Sequence, residues 1–356
     1  MSRMPKLLIT LLVVGGILFA AALVLAVAGV LLFAEEAPGG AAWVNISDAV
    51  VAKITADGKK VGAYGPTSGV AVDAATGDVF MVVNDLGLWK SADKGKTFEN
   101  VADGKTVGGR GETAFALQAD PAGKRLACFM VYGASAATPD GGKTWTVFKQ
   151  THVDFGAVDW ADGKTMVALR HESGGMLTLS ADGGATWKDL EKGFKGVGVF
   201  DSKTFVATKE KEDGIFRSTD AGATWAKVSD LKPAGFVMQT LKGTGYWTSD
   251  SGLLVSKDKG EKWEVQGAAV KCFEGPFFGK NESQIVVVNN QGFQESADAG
   301  KTWKLAAPLP AGYTADRMTL CAWDAAANIF YVSRMTKPTM KLERQGTKGQ
   351  RDEGTK

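Results

Sequence analysis

The chain has 356 residues, with 41 Lys and Arg against 39 Asp and Glu, so its net charge is close to neutral at +2. That balance leaves no electrostatic footprint for nucleic acid. An odd count of three cysteines leaves at least one thiol unpaired in an exported protein. In chain order, Arg3 and Lys6 precede an uncharged apolar run over 7–34, and Glu35 and Glu36 follow it. At about 1.5 Å per helical residue this run exceeds the ~30 Å hydrocarbon core of a bilayer. The flanking charges place the N-terminus in the cytoplasm and the remainder in the periplasm or outside the cell. Residues 1–36 are thus predicted to be a cytoplasmic stub with a transmembrane anchor. If Ala26-Val27-Ala28 serves as a cleavage site, they are a signal peptide and the protein is secreted. A linker over 37–41 contains Pro38-Gly39-Gly40.

From residue 91 onward one phrase recurs six times: Ser/Thr-x-Asp-x-Gly-x-Thr-aromatic, with Lys replacing the Thr once. Its aspartates are Asp93, Asp140, Asp182, Asp220, Asp258 and Asp298, separated by 47, 42, 38, 38 and 40 residues. A period of roughly 40 residues marks one supersecondary unit repeated. The carboxylate can accept backbone N–H groups of the turn that follows it, and the hydroxyl two residues earlier can do the same. The glycine supplies a positive φ, and the aromatic anchors the next strand. The phrase therefore encodes a tight hairpin and holds no nucleophile beside a base.

Strand-forming runs precede copies of the phrase at 87–91, 214–218, 252–256 and 292–296, with others upstream at 79–83, 204–208 and 285–288, and inner runs at 70–72 and 197–200. Four strands per repeat fit a propeller blade. Three more runs follow the last copy of the phrase, at 317–322, 329–333 and 339–343, while 43–47 resembles a fourth strand such as 145–148. The expected fold is all-β: a seven-bladed propeller over 42–343, its last blade closed by the N-terminal strand, with six blades as the competing count. Closure of this kind removes exposed sheet edges. The tail over 344–356 is charged and Gly-rich and is expected to be disordered.

The recurring phrase resembles the Asp box, or BNR repeat, of the sialidase-like β-propeller superfamily. That resemblance implies that each box joins the third and fourth strands of a blade, on the rim away from the usual ligand face, with a structural role. The seven-blade layout is similar to the photosystem II assembly and stability factor family. This similarity implies a non-enzymatic propeller that binds membrane-protein intermediates. The arginine-rich patch of that family has no matching cluster among Arg110, Arg125, Arg170, Arg217, Arg317 and Arg334.

On a propeller the starts of inner strands and the loops between second and third strands form the usual binding face. Those places hold Arg110, Glu112, His152, Asp154, Glu274, Asp316 and Arg317, with Arg170 and His171 ending a second strand. His152 and Asp154 are read as one strand with a shared face. Metal sites want three or four ligands, and two histidines with one carboxylate fall short, so neither metal nor cofactor is expected. Sialidase chemistry lacks its Tyr–Glu pair, since Tyr313 has no assignable glutamate. The leading expectation is a non-enzymatic, monomeric, membrane-tethered or exported scaffold for a protein or polysaccharide partner outside the cytoplasm, such as an assembly factor. The alternative is an exported glycoside hydrolase using Glu274 with Asp154 or Asp316. Trp89, Trp247 and Trp323 read as core, and Trp160 as the free aromatic platform. Cys128, Cys272 and Cys321 read as small buried hydrophobes, with a Cys272–Cys321 disulfide as the alternative.

Overall fold

Runs rich in Val, Ile and Phe, cut by Asp/Gly turns, form 28 strands in the computed structural model, which describes residues 42–62, 65–316 and 318–344. The expected membrane segment at 7–34, the linker 37–41, Arg317 and the tail from 345 lie outside the described residues. No helix among the described residues is long and apolar enough to cross a membrane. Strands are numbered β1–β28 in chain order. They make seven four-stranded antiparallel sheets; six run inner to outer in sequence order, and the seventh runs β26, β27, β28 and then β1. Blade one is β2–β5 (67–102), blade two β6–β9 (117–147), blade three β10–β13 (153–189) and blade four β14–β17 (194–229). Blade five is β18–β21 (239–266), blade six β22–β25 (274–308) and blade seven β26–β28 (319–343) with β1 (Val44–Asn45). The count is seven, and the six-blade alternative is overturned.

Closure follows the expected route. β1 pairs antiparallel with β28 (Met340–Glu343), Val44 opposite Lys341 and Asn45 opposite Met340. The expected strand at 43–47 is shorter than foreseen, because the chain then turns into a helix that the strand pattern concealed. This helix, α1 (Ser47–Ala56), buries Val50 and Ile54, which lie one turn apart on one face. Asn45 Oδ1 accepts the Ser47 N–H at 2.9 Å and so satisfies one of the first amides of α1. Its buried face packs with Val70, Val79, Met81 and Trp89, so α1 covers the junction of blades seven and one.

Each blade is sandwiched between two others, and this explains its burial pattern. Middle strands are apolar on both faces: all five residues of β3 (Val79–Val83) are buried. Outer strands face water, and both residues of β9 (Thr146–Val147) and of β13 (Lys188–Asp189) are exposed. The core is therefore a ring of apolar layers between blades, such as Phe155, Phe194 and Val197 between blades three and four. At about 25 cal/mol per Å² of apolar surface removed from water, these layers dominate cohesion of the ring.

Candidate functional site

The six boxes lie between third and fourth strands, hence all on one face of the ring. Their internal bonding repeats closely. The Ser or Thr hydroxyl donates to the Asp Oδ1 at 2.7–2.9 Å and accepts the Gly N–H at 2.7–3.0 Å. The residue before the aromatic donates its N–H to Oδ1 at 2.8–2.9 Å. Five boxes add a Thr hydroxyl on Oδ2 at 2.6–2.7 Å; the fifth box has Lys262 there. The Thr hydroxyls chiefly hold Asp93, Asp140, Asp220 and Asp298 down to about 2, and lower Asp182 likewise. At Asp258 desolvation is the largest single influence and works upward, and the Lys262 N–H, the Ser256 hydroxyl and further backbone N–H groups together outweigh it. In five of the six boxes both carboxylate oxygens are engaged inside the turn, so the boxes are joints. Each box glycine also seats a residue of the preceding blade: Gly142 meets Val101, Gly184 meets Phe148 and Gly222 meets Leu190.

The opposite face carries the loops between blades and between second and third strands. There the seam of blades two and three gathers most of the candidates. Arg110 and Val131 exchange backbone hydrogen bonds, at 3.1 and 2.9 Å, which sets Arg110 beside the loop after β7 (Leu126–Cys128). The Arg110 guanidinium pairs with Glu112 at 2.5 Å and lies 4.7 Å from the centre of the Tyr132 ring. The Tyr132 hydroxyl contacts His171 Nε2 at 3.1 Å, and His171 Nδ1 contacts Asp154 Oδ1 at 2.6 Å. Burial lifts the Asp154 carboxyl above its ordinary value, against the His171 bond that favours its ionised form. His152 stacks edge-on against Tyr132, with ring centres 5.4 Å apart. A cleft of about 340 Å³, bordered by Asn84, Asp85, Gly109, Arg110 and Tyr132, opens beside this seam.

Two expectations need correction, and one alternative is overturned. His152 is not in the strand with Asp154: it adopts φ +58° just before β10 (Val153–Val158), so the two side chains do not share a pleat. Trp160 is no free platform, because Arg125 lies 5.8 Å from its ring centre and donates to its carbonyl. The three cysteines are free and buried, so Cys272 and Cys321 form no disulfide. Burial alone drives the Cys128 thiol upward and dominates at the others, Cys272 reaching about 12.

Glu274 opens β22 (Glu274–Phe278) but is only 3% exposed and is not on the face at all. Its Oε1 accepts the Cys321 N–H of β26 (Thr319–Asp324) at 2.7 Å, joining blades six and seven, while Oε2 is buried with no hydrogen-bond partner among the described residues. Burial pushes this carboxyl up to about 8. It borders a cavity of about 150 Å³ in the bore, lined mainly by apolar residues including Leu117, Phe277 and Leu320. Asp316 is held by Arg334 at 2.6 Å, which keeps it low despite its desolvation. Arg170 reaches Asp189 on its own blade at 2.7 Å. The structure thus unites Arg110, Glu112, Asp154 and His171, sets His152 at their edge, and leaves Arg170, Glu274 and Asp316 elsewhere. Sequence reasoning missed Tyr132. It occupies the same kind of loop in blade two that His171 occupies in blade three, and that equivalence was the available signal.

No protein-family model and no curated protein matches the chain. Solved structures do. The chain is similar to YCF48 bound to D1 peptide, at 13% identity and TM-score 0.50, over 81% of this chain and 96% of that one. It is also similar to YCF48 from Cyanidioschyzon merolae, at 11% identity and TM-score 0.50, over 85% and 98%. A GH74 xyloglucanase from Xanthomonas campestris aligns at 16% identity and TM-score 0.40, over 84% and 60%. At these identities the likeness to the two YCF48 structures shows the propeller fold alone.

Proposed function

We propose that this chain is a non-enzymatic binding scaffold, tethered to a membrane or exported, whose box-free face takes a protein partner outside the cytoplasm. One observation carries the reading. The carboxylates that a glycosidase would need are each committed elsewhere: Glu274 is buried against Cys321, Asp154 is bound to His171 and Asp316 to Arg334. An acid and a base flanking a sugar bond must both be open to it, about 5–10 Å apart. A carboxyl with 3% exposure does not meet that need. The seam offers what a peptide can use instead: a half-exposed Tyr132 ring, a guanidinium lying over it and an adjoining cleft. A solved YCF48 propeller holds a D1 peptide, and a peptide ligand fits the same mode here.

The test is affinity capture from solubilised membranes of the source organism. The intact protein is expected to recover a specific partner, and Arg110→Glu combined with Tyr132→Ala is expected to lose it. Recovery of no specific partner contradicts the reading. So does hydrolysis of a sialoside or β-glucan that Glu274→Gln abolishes.

A further inference from the structure

Three side chains of metal-ligating type meet at the seam of blades two and three. Glu112 comes from the loop leading into β6 (Leu117–Ala119), Asp154 from β10, and His171 from the turn after β11 (Met166–Arg170). One donor atom of each lies within 4.8 Å of the other two. We propose that this cluster binds one divalent transition-metal ion through a Glu112 carboxylate oxygen, Asp154 Oδ1 and His171 Nδ1.

The donor set points to the class of ion. One imidazole with two carboxylates suits zinc and its first-row neighbours, whereas calcium and magnesium favour all-oxygen shells. The distances are close to those needed. Metal–ligand bonds of about 2.0–2.2 Å at tetrahedral angles put neighbouring donor atoms about 3.4 Å apart. Asp154 Oδ1 and His171 Nδ1 now stand 2.6 Å apart, so each moves less than 1 Å to admit the ion.

The surroundings hold the donors ready. Tyr132 meets His171 at Nε2, which fixes the ring with Nδ1 toward the carboxylates, as outer partners of metal-bound imidazoles do. Glu172 also lies on the Nε2 side, at 3.7 Å, and is not a ligand. The backbone is pinned independently of any ion: His171 N–H donates to the His152 carbonyl at 2.7 Å, Val153 N–H to Met130 at 3.1 Å, and the Thr113 hydroxyl to the Asp154 carbonyl at 2.7 Å. Charge favours a cation as well. The side chains of Glu112 and Asp154 are only 15% and 18% exposed. Arg110 offsets the charge of Glu112, and a bound cation would relieve the repulsion that remains between the two acids.

This inference stands apart from the partner reading and is tested on purified, tag-free protein with metal salts alone. Calorimetric titration with zinc chloride is expected to show one saturable site per chain at micromolar or tighter affinity, with calcium at least 100-fold weaker. His171→Ala and Asp154→Asn are each expected to weaken zinc by 100-fold or more, and Tyr132→Phe by roughly 10–100-fold, as for outer partners generally. Cobalt loaded into the parent protein is expected to show visible d–d bands that shift in Glu112→Gln, a milder change that tests the site should the histidine variant not fold. The absence of a saturable zinc site overturns the proposal, as does binding that none of these substitutions alters.

Discussion

The two faces of the ring use carboxylates in opposite ways. On the box face six aspartates are wrapped in donors from their own turns, and those bonds hold their titration low. Away from it, Asp154 at the seam and Glu274 in the bore are lifted by burial. A repeated residue bonded within its own turn is architecture and leaves nothing for a ligand. The seam draws on single residues of different blades, which the repeat does not explain.

The sharpest probe of the contrast is one substitution made on both faces. Gly184, at φ +96° in a box, would place a Cβ 2.1 Å from the Phe148 ring. That ring is wedged between Phe129 and Trp187 and cannot swing aside. Gly174, at φ +69° in the loop after β11, has nothing within 4 Å of the same added carbon. Gly184→Ala combines backbone strain with overpacking and is expected to cost about 4 kcal/mol. Gly174→Ala carries the strain alone, about 1 kcal/mol. Urea unfolding of the two variants measures the difference, and equal costs would mean that the boxes do not join blades.

Acid and alkali separate the regions next. Asp93, Asp140, Asp220 and Asp298 titrate near 2 when folded against an ordinary 3.8, and Asp182 and Asp258 are lowered too, so the folded state binds fewer protons as pH falls between the two values. Their contribution is complete above about pH 4 and is lost toward pH 2. Glu274 has the opposite sign. Folded, it keeps its proton up to about pH 8, whereas its ordinary value is 4.5. Stability therefore declines as pH rises from about 4.5 to about 8 and is level above. Glu274→Gln is expected to remove that decline, leaving the variant more stable than the parent at pH 8 by about 4 kcal/mol, given about 1.4 kcal/mol per pKa unit. Unfolding midpoints from pH 4 to 9 test this, and an unchanged slope in the variant would show that Glu274 is not the buried acid responsible.

The same contrast explains what the sequence let one read. The hairpins were legible because six copies of one phrase fix the period, and the third strands 87–91, 252–256 and 292–296 appear at those bounds. The closing strand was legible from the blade left one strand short. Helix α1 was not, although Val50 and Ile54 carry its i, i+4 signal, because the preceding residues match a fourth strand. At the seam the residue types were legible as a set near strand starts. Their pairing was not, because it depends on how two blades meet: Tyr132 and His171 are 39 residues apart and touch only across that junction. Glu274 misled for a related reason: it stands where a strand begins, yet Cys321 of the next blade covers it.

The smallest expected effect lies in the one imperfect joint. In five boxes a Thr hydroxyl bonds the Asp Oδ2; in the fifth, Lys262 gives Asp258 its backbone N–H at 2.9 Å and has no hydroxyl to add. Lys262→Thr supplies the missing donor on an exposed turn, where a net hydrogen bond contributes about 0.5 kcal/mol. The substitution should raise the urea midpoint slightly at pH 7. It should also move the acid-unfolding midpoint to lower pH, because the added bond favours the ionised carboxylate. Thr224→Val in the fourth box should do the reverse by a similar amount. If both changes leave the acid midpoint where it is, the side-chain hydroxyls are dispensable, and the backbone amides together with the Ser or Thr hydroxyl suffice to hold the joint.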